Sequence, residues 1–193
     1  MSFLGIVWSG ISYFLSLLGY WLSLFFVFPF KNVEVLWIII PIWINLLISD
    51  FYQEKHGTNI GNAITNGAMM LWVGIDWIRF LFRNYTGWNH LLTFKIFLCL
   101  LTFIFGVIIM YEGIKDRTIV RMIGRVRETS YIMLVFTPVL YNIVEPSTKY
   151  IISVIVFFPL FYFLFELVDR AIPDPRGIYD DTNKSNTLSE LKI

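Results

Sequence analysis

Cysteine and histidine are almost absent from this chain, which carries one of the former, Cys99, and two of the latter, His56 and His90. A lone cysteine excludes an intramolecular disulfide and leaves any thiolate zinc site without a second sulfur. No Gly-x-x-x-x-Gly-Lys-Ser/Thr phosphate loop, His-Glu-x-x-His, Gly-x-Ser-x-Gly or Gly-x-Gly-x-x-Gly occurs, so no nucleotide, metalloprotease, esterase or dinucleotide chemistry is signalled and no cofactor is expected. Charge is scarce as well, at 15% of residues with a net of +1. Nucleic acid is not an expected partner, because phosphate binding needs a concentrated basic surface.

What fills the space is apolar. From Ser2 to Phe30 there is not one charged side chain. Some 20 apolar residues rising about 1.5 Å each are enough to cross a hydrocarbon core of roughly 30 Å, so a lipid bilayer is the expected solvent. The first run lacks an early basic residue and a small-x-small cleavage site, and it is too long for the apolar stretch of a signal peptide, so it is expected to persist as a helix.

The expected fold class is all-α, a polytopic transmembrane helical bundle of about six spans. These run from Phe3 to Phe28, Val35 to Ser49, Ile60 to Phe82, Leu91 to Tyr111, Tyr131 to Val144 and Tyr150 to Leu167. The second and fifth are short for a bilayer. One transmembrane domain is assigned to 1–169, with a basic amphipathic loop at 114–130. A polar tail at 170–193, too poor in apolar residues to offset ordering, is expected to be flexible.

Lys55, Lys115, Arg117, Arg121, Arg125, Arg127, Arg170, Arg176, Lys184 and Lys192 fall on one side of such a bundle. Lys31, Arg79, Arg83, Lys95 and Lys149 fall on the other. The bias of Lys and Arg toward the cytoplasm puts both termini there, in an integral, multi-pass arrangement. It also separates His56 from His90, which removes a two-histidine metal site.

Within the first helix Ser2, Gly5, Ser9, Ser12, Ser16, Gly19 and Ser23 recur alternately three and four apart, a stripe suited to close helix packing. It is expected to dock on another helix of the chain or to form a homo- or hetero-oligomer. The third helix carries Asn59, Asn62, Asn66, Asp76 and Arg79 on or near one face. Polar groups at membrane depth line a cavity or bond between helices, and Asp76 with Arg79 also suits a local pair. Pro41 with Asn45, and Pro138 with Asn142, repeat one spacing inside expected spans, where each proline frees a carbonyl and is expected to kink its helix; Pro159 interrupts a third.

Arg117, Arg121 and Arg125, four apart, form a basic stripe suited to anionic lipid head groups or phosphate. Glu112, Glu145, Glu166 and Asp169 sit at helix ends and read as solvated carboxylates. The leading function is a non-enzymatic structural, assembly or partner-binding membrane subunit. The alternatives are a small transporter or channel with a polar path along the third helix, and a lipid-acting intramembrane enzyme using Glu112, Asp116 and the arginine stripe.

Overall fold

The computed structural model describes residues 3–54, 58–85 and 87–173. Among these every regular element is helical: α1 (Phe3–Phe26), α2 (Val33–Ile48), α3 (Ile60–Asn84), α4 (His90–Ile114), α5 (Val120–Ile123), α6 (Val126–Leu140) and α7 (Thr148–Ala171). A 3-10 turn at Phe28–Lys31, with Pro29 at its start, joins α1 to α2. The side chains of Asn32, Asn59, Asn89 and Ser147 accept the orphan backbone N–H groups at the starts of α2, α3, α4 and α7.

Four helices among the described residues are long and apolar enough to cross a membrane: Leu4–Phe26, Val33–Gln53, His90–Ile114 and Thr148–Ala171. Large apolar side chains on their outer faces, such as Trp8, Trp37, Ile104 and Phe163, are exposed, as a lipid-facing surface requires. The other two expected spans do not meet that standard. At 25 residues α3 is long enough, but Asn62, Asn66, Asp76, Arg79 and Arg83 dilute it. At 15 residues α6 is short, and nearly all of it is buried.

The short helix is the axis of the bundle, touching α1, α2, α3, α4 and α7. Because protein surrounds it, its length is not set by a bilayer. Links at the two ends show that successive long helices alternate in direction. Arg83 reaches Glu34 and Tyr85 reaches Asn142 at one end, while Arg127 reaches Asp50 and Glu166 at the other.

The tightest seam lies between α3 and α4. A Cβ at Gly106 would stand 2.8 Å from the Gly67 carbonyl oxygen, and one at Gly67 would stand 3.0 Å from that of Gly106. The expected seam on α1 is placed differently. Gly5, Ser9, Ser12, Ser16 and Gly19 are exposed and Ser23 is half-buried, while Leu17, Trp21, Leu24 and Phe25 face the core. Spacing puts the small residues on one face, where Ser16 Oγ accepts from Lys149 Nζ of α7 at 2.8 Å, while the larger apolar contact of α1 lies on another.

Two further expectations are corrected. Within the loop at 114–130 α5 is a single turn that Gly124 breaks, and the fifth expected span begins at Val126 rather than Tyr131, so the end of the loop extends it. Only glycine fits that break, since a Cβ there would meet the Ala63 Cβ at 2.8 Å and the Val120 carbonyl at 2.9 Å. Asn142, expected within a span, lies beyond the end of α6 in the left-handed region with φ 59°. Helices α2 and α7 continue through Pro41 and Pro159. The 170–193 tail lies outside the described residues apart from Arg170–Pro173.

Candidate functional site: a charged pocket at one end of the bundle

The last turn of α2 widens into a π-helical segment, Ser49–Gln53, closed by Glu54 N–H donating to the Ser49 carbonyl at 2.7 Å. Such turns recur at functional sites because they re-aim side chains. This one buries Ser49, Asp50 and Phe51 and brings Glu54 to the start of α6.

Glu54 is a cap for its neighbours. Its Oε2 accepts from the Val126 N–H at 3.2 Å and from Thr58 Oγ1 at 2.6 Å, a carboxylate at a helix N-terminus where the backbone dipoles favour it. Its Oε1 accepts from Asn66 Nδ2 at 2.9 Å, and the same amide donates to the Gly124 carbonyl at 2.8 Å. Asn45 Nδ2 completes the knot by donating to Asn66 Oδ1 at 3.2 Å. Asn66, wholly buried, is thus a satisfied hub joining α2, α3 and α6.

Beside this knot Arg127, on the first turn of α6, is buried among acids. Its Nε donates to Asp50 Oδ1 at 2.5 Å and its Nη1 to Glu166 Oε2 at 2.9 Å, while Nη2 stands 3.8 Å from Asp169 Oδ2. The bonds to Asp50 and Glu166 offset the cost of burying its charge. Its other face lies 4.9 Å from the Tyr162 ring centroid.

The acids outnumber the bases here. A cavity of about 200 Å³ is lined by Asp50, Glu54, Thr58, Arg125, Arg127, Glu128, Tyr162, Glu166 and Asp169. Three buried carboxylate oxygens on its lining residues, Asp50 Oδ2, Glu128 Oε2 and Asp169 Oδ1, have no hydrogen-bond partner among the described residues. Among the described residues, no three His, Cys, Asp or Glu side chains converge as a metal site requires.

The remaining polar residues of α3 do not join this pocket. Asn59 caps the helix, accepting from Asn62 N–H at 2.8 Å, and the Asn62 side-chain nitrogen is buried without a partner. Asp76 lies ten residues beyond Asn66, about 15 Å along the axis. There Asp76 Oδ1 accepts from Arg79 at 2.6 Å, and Oδ2 accepts from the Tyr141 hydroxyl. Between the two clusters run Met70, Val73 and Gly74, all buried. At that second end Lys95, only 1% exposed, donates to Tyr85 Oη at 3.0 Å and to Asn142 Oδ1.

The basic stripe is dispersed. Arg117 pairs with Glu112 at 3.0 Å, Arg125 donates to Tyr162 Oη at 3.2 Å, and Arg121 is exposed on α5. Sequence reasoning missed Asp50, Glu54, Arg127 and Glu128, and read Glu166 and Asp169 as solvated. The available signal was Asp50 with Glu54, and Glu166 with Asp169 and Arg170, at helical spacing on the side shared with Arg127. Comparison of the chain with protein-family models, curated proteins and solved structures finds no match.

Proposed function

We propose that the chain is a multi-pass integral membrane protein acting without catalysis, as a binding subunit whose working site is the charged pocket between α2, α6 and α7. The single observation that carries this reading is the set of three partnerless buried carboxylate oxygens around one cavity. A purely structural ion cluster is expected to satisfy such atoms, since each otherwise costs about 1–3 kcal/mol. In this reading α3 and α6 complete six crossings, with α6 sheltered from lipid. The pocket end faces the cytoplasm, where the exposed Arg121 on α5 meets anionic head groups. The outward stripe on α1 is the face assigned to an oligomer.

The transport alternative, a path along α3, is less favoured because the buried Met70–Val73–Gly74 band separates Asn66 from Asp76. The test is sided labelling of sealed vesicles. Asp169→Cys in a Cys99→Ser background is expected to stay in the membrane through an alkaline wash and to react with an impermeant maleimide from the cytoplasmic side alone. Release by the wash rejects the membrane assignment, and reaction from both sides rejects the closed pocket in favour of a path.

A further inference from the structure

The pocket has a charge and donor deficit that defines what fits it. Among the described residues five carboxylates line it, on Asp50, Glu54, Glu128, Glu166 and Asp169, against the guanidinium groups of Arg125 and Arg127. The imbalance is negative, so a cation is preferred. Asp50 is the deepest of the acids, its side chain 4% exposed. One of its oxygens is held by Arg127, while the other has no donor among the described residues.

The kind of cation follows from the spread of the acids. A spherical metal ion needs its oxygens gathered at about 2.3–2.6 Å from one point, and among the described residues no such gathering exists. Acceptors carried by three elements, Asp50 on the π-turn, Glu128 on α6 and Asp169 on α7, instead suit a cation several atoms long that carries N–H groups at more than one place. A guanidinium offers five donors in a planar fork and an ammonium offers three. A quaternary ammonium offers none, and Arg127 already occupies a face of the Tyr162 ring, the feature such a group would seek. With about 200 Å³, the cavity has room for more than a single water.

We infer that this pocket binds a small organic cation rich in N–H donors, an alkylguanidinium or alkylammonium, taken from the aqueous side with Asp50, Glu128 and Asp169 as its acceptors. The inference rests on the binding-subunit reading and supplies its ligand class.

The test is thermal unfolding of the full chain in detergent, titrated with agmatine at constant ionic strength. A saturable rise in Tm is expected with agmatine, and little with tetramethylammonium or Ca²⁺. Glu128 has no side-chain partner among the described residues and glutamine keeps an acceptor for its backbone hydrogen bond, so Glu128→Gln is expected to fold and to weaken half-saturation by about tenfold or more, the loss of one charged hydrogen bond. Asp169→Asn is the second variant and is expected to do the same. A shift that tracks salt without saturating, an equal response to tetramethylammonium, or full retention of the response in both variants overturns the proposal. A larger saturable response to Ca²⁺ overturns it in favour of a metal. One-sided labelling of Asp169→Cys with no agmatine response removes the ligand class and leaves the binding-subunit reading in place, whereas two-sided labelling removes that reading itself.

Discussion

Arg127 Nε and Asp50 Oδ1, 77 residues apart in sequence, meet at 2.5 Å with both side chains at least nine-tenths buried. The pair fastens the axial helix α6 to the π-turn that ends α2, and Glu166 on α7 shares the same guanidinium. Removing one member of a buried ion pair strands the other, at about 3–5 kcal/mol, whereas replacing both by apolar groups of similar volume is often neutral or better. Arg127→Met is therefore expected to lower thermal stability severely, and Asp50→Leu added to Arg127→Met to recover much of the loss. Thermal unfolding in detergent checks this; additive losses from the two changes would mean that they are not coupled.

Glu128 lines the same cavity, and its Oε2 is buried with no hydrogen-bond partner among the described residues. A buried carboxylate oxygen without a donor costs stability, so Glu128→Gln is expected to stabilise the empty protein. Unfolding midpoints of the two proteins test it, and a lower midpoint for the variant rejects the assignment.

The long helices were legible because their cause is local: uncharged apolar runs, Pro29 after the first, and Asn59 at the start of the third. The pocket was not, because its pairs cross the chain. Asp50 and Glu166 each sit beside a helix end, where sequence alone gives a solvated carboxylate, and only the placement of α6 brings Arg127 between them. The α1 stripe shows the same gap in another form. Periodicity established that Ser12, Ser16 and Gly19 share a face, and it carries no information on what that face meets. The close approach occurs instead at Gly67 and Gly106, on a second set of small residues whose partner periodicity alone does not name: Ala63, Gly67 and Gly74 are buried on α3, and Cys99, Thr102, Gly106 and Gly113 on α4.

That contrast is testable by adding single methyl groups. At Gly106 a Cβ meets a backbone oxygen at 2.8 Å, which cannot rotate away, whereas at Gly19 nothing lies within 4 Å. Gly106→Ala is expected to destabilise by about 1–3 kcal/mol through overpacking. Gly19→Ala is expected to leave the folded monomer unchanged. Unfolding midpoints and size-exclusion profiles separate them, and equal tolerance at both positions would disprove the α3–α4 seam.

At the opposite end Asn142 has two roles that different substitutions pull apart. Its backbone, at φ 59°, closes α6: Ile143 N–H donates to the Pro138 carbonyl at 2.9 Å and Asn142 N–H to that of Val139 at 3.2 Å. Its side-chain oxygen accepts from Tyr85 Oη at 2.5 Å and from the buried Lys95 ammonium, which has no carboxylate partner among the described residues. Asn142→Gly keeps the left-handed turn without strain and removes the acceptor, so it isolates the second role. A hydrogen bond to a charged group contributes about 1.5–3 kcal/mol, and a loss in that range is expected. Asn142→Val adds the left-handed strain of a branched side chain, about 1–2 kcal/mol more. Asn142→Asp keeps an acceptor and supplies a counter-charge, so it is expected to match or exceed the native protein. Lys95→Met in the Asn142→Gly background removes the stranded ammonium and is expected to restore stability. If Asn142→Gly alone is as stable as the native chain, the residue serves only as a helix terminator, and the Lys95 ammonium draws nothing from it.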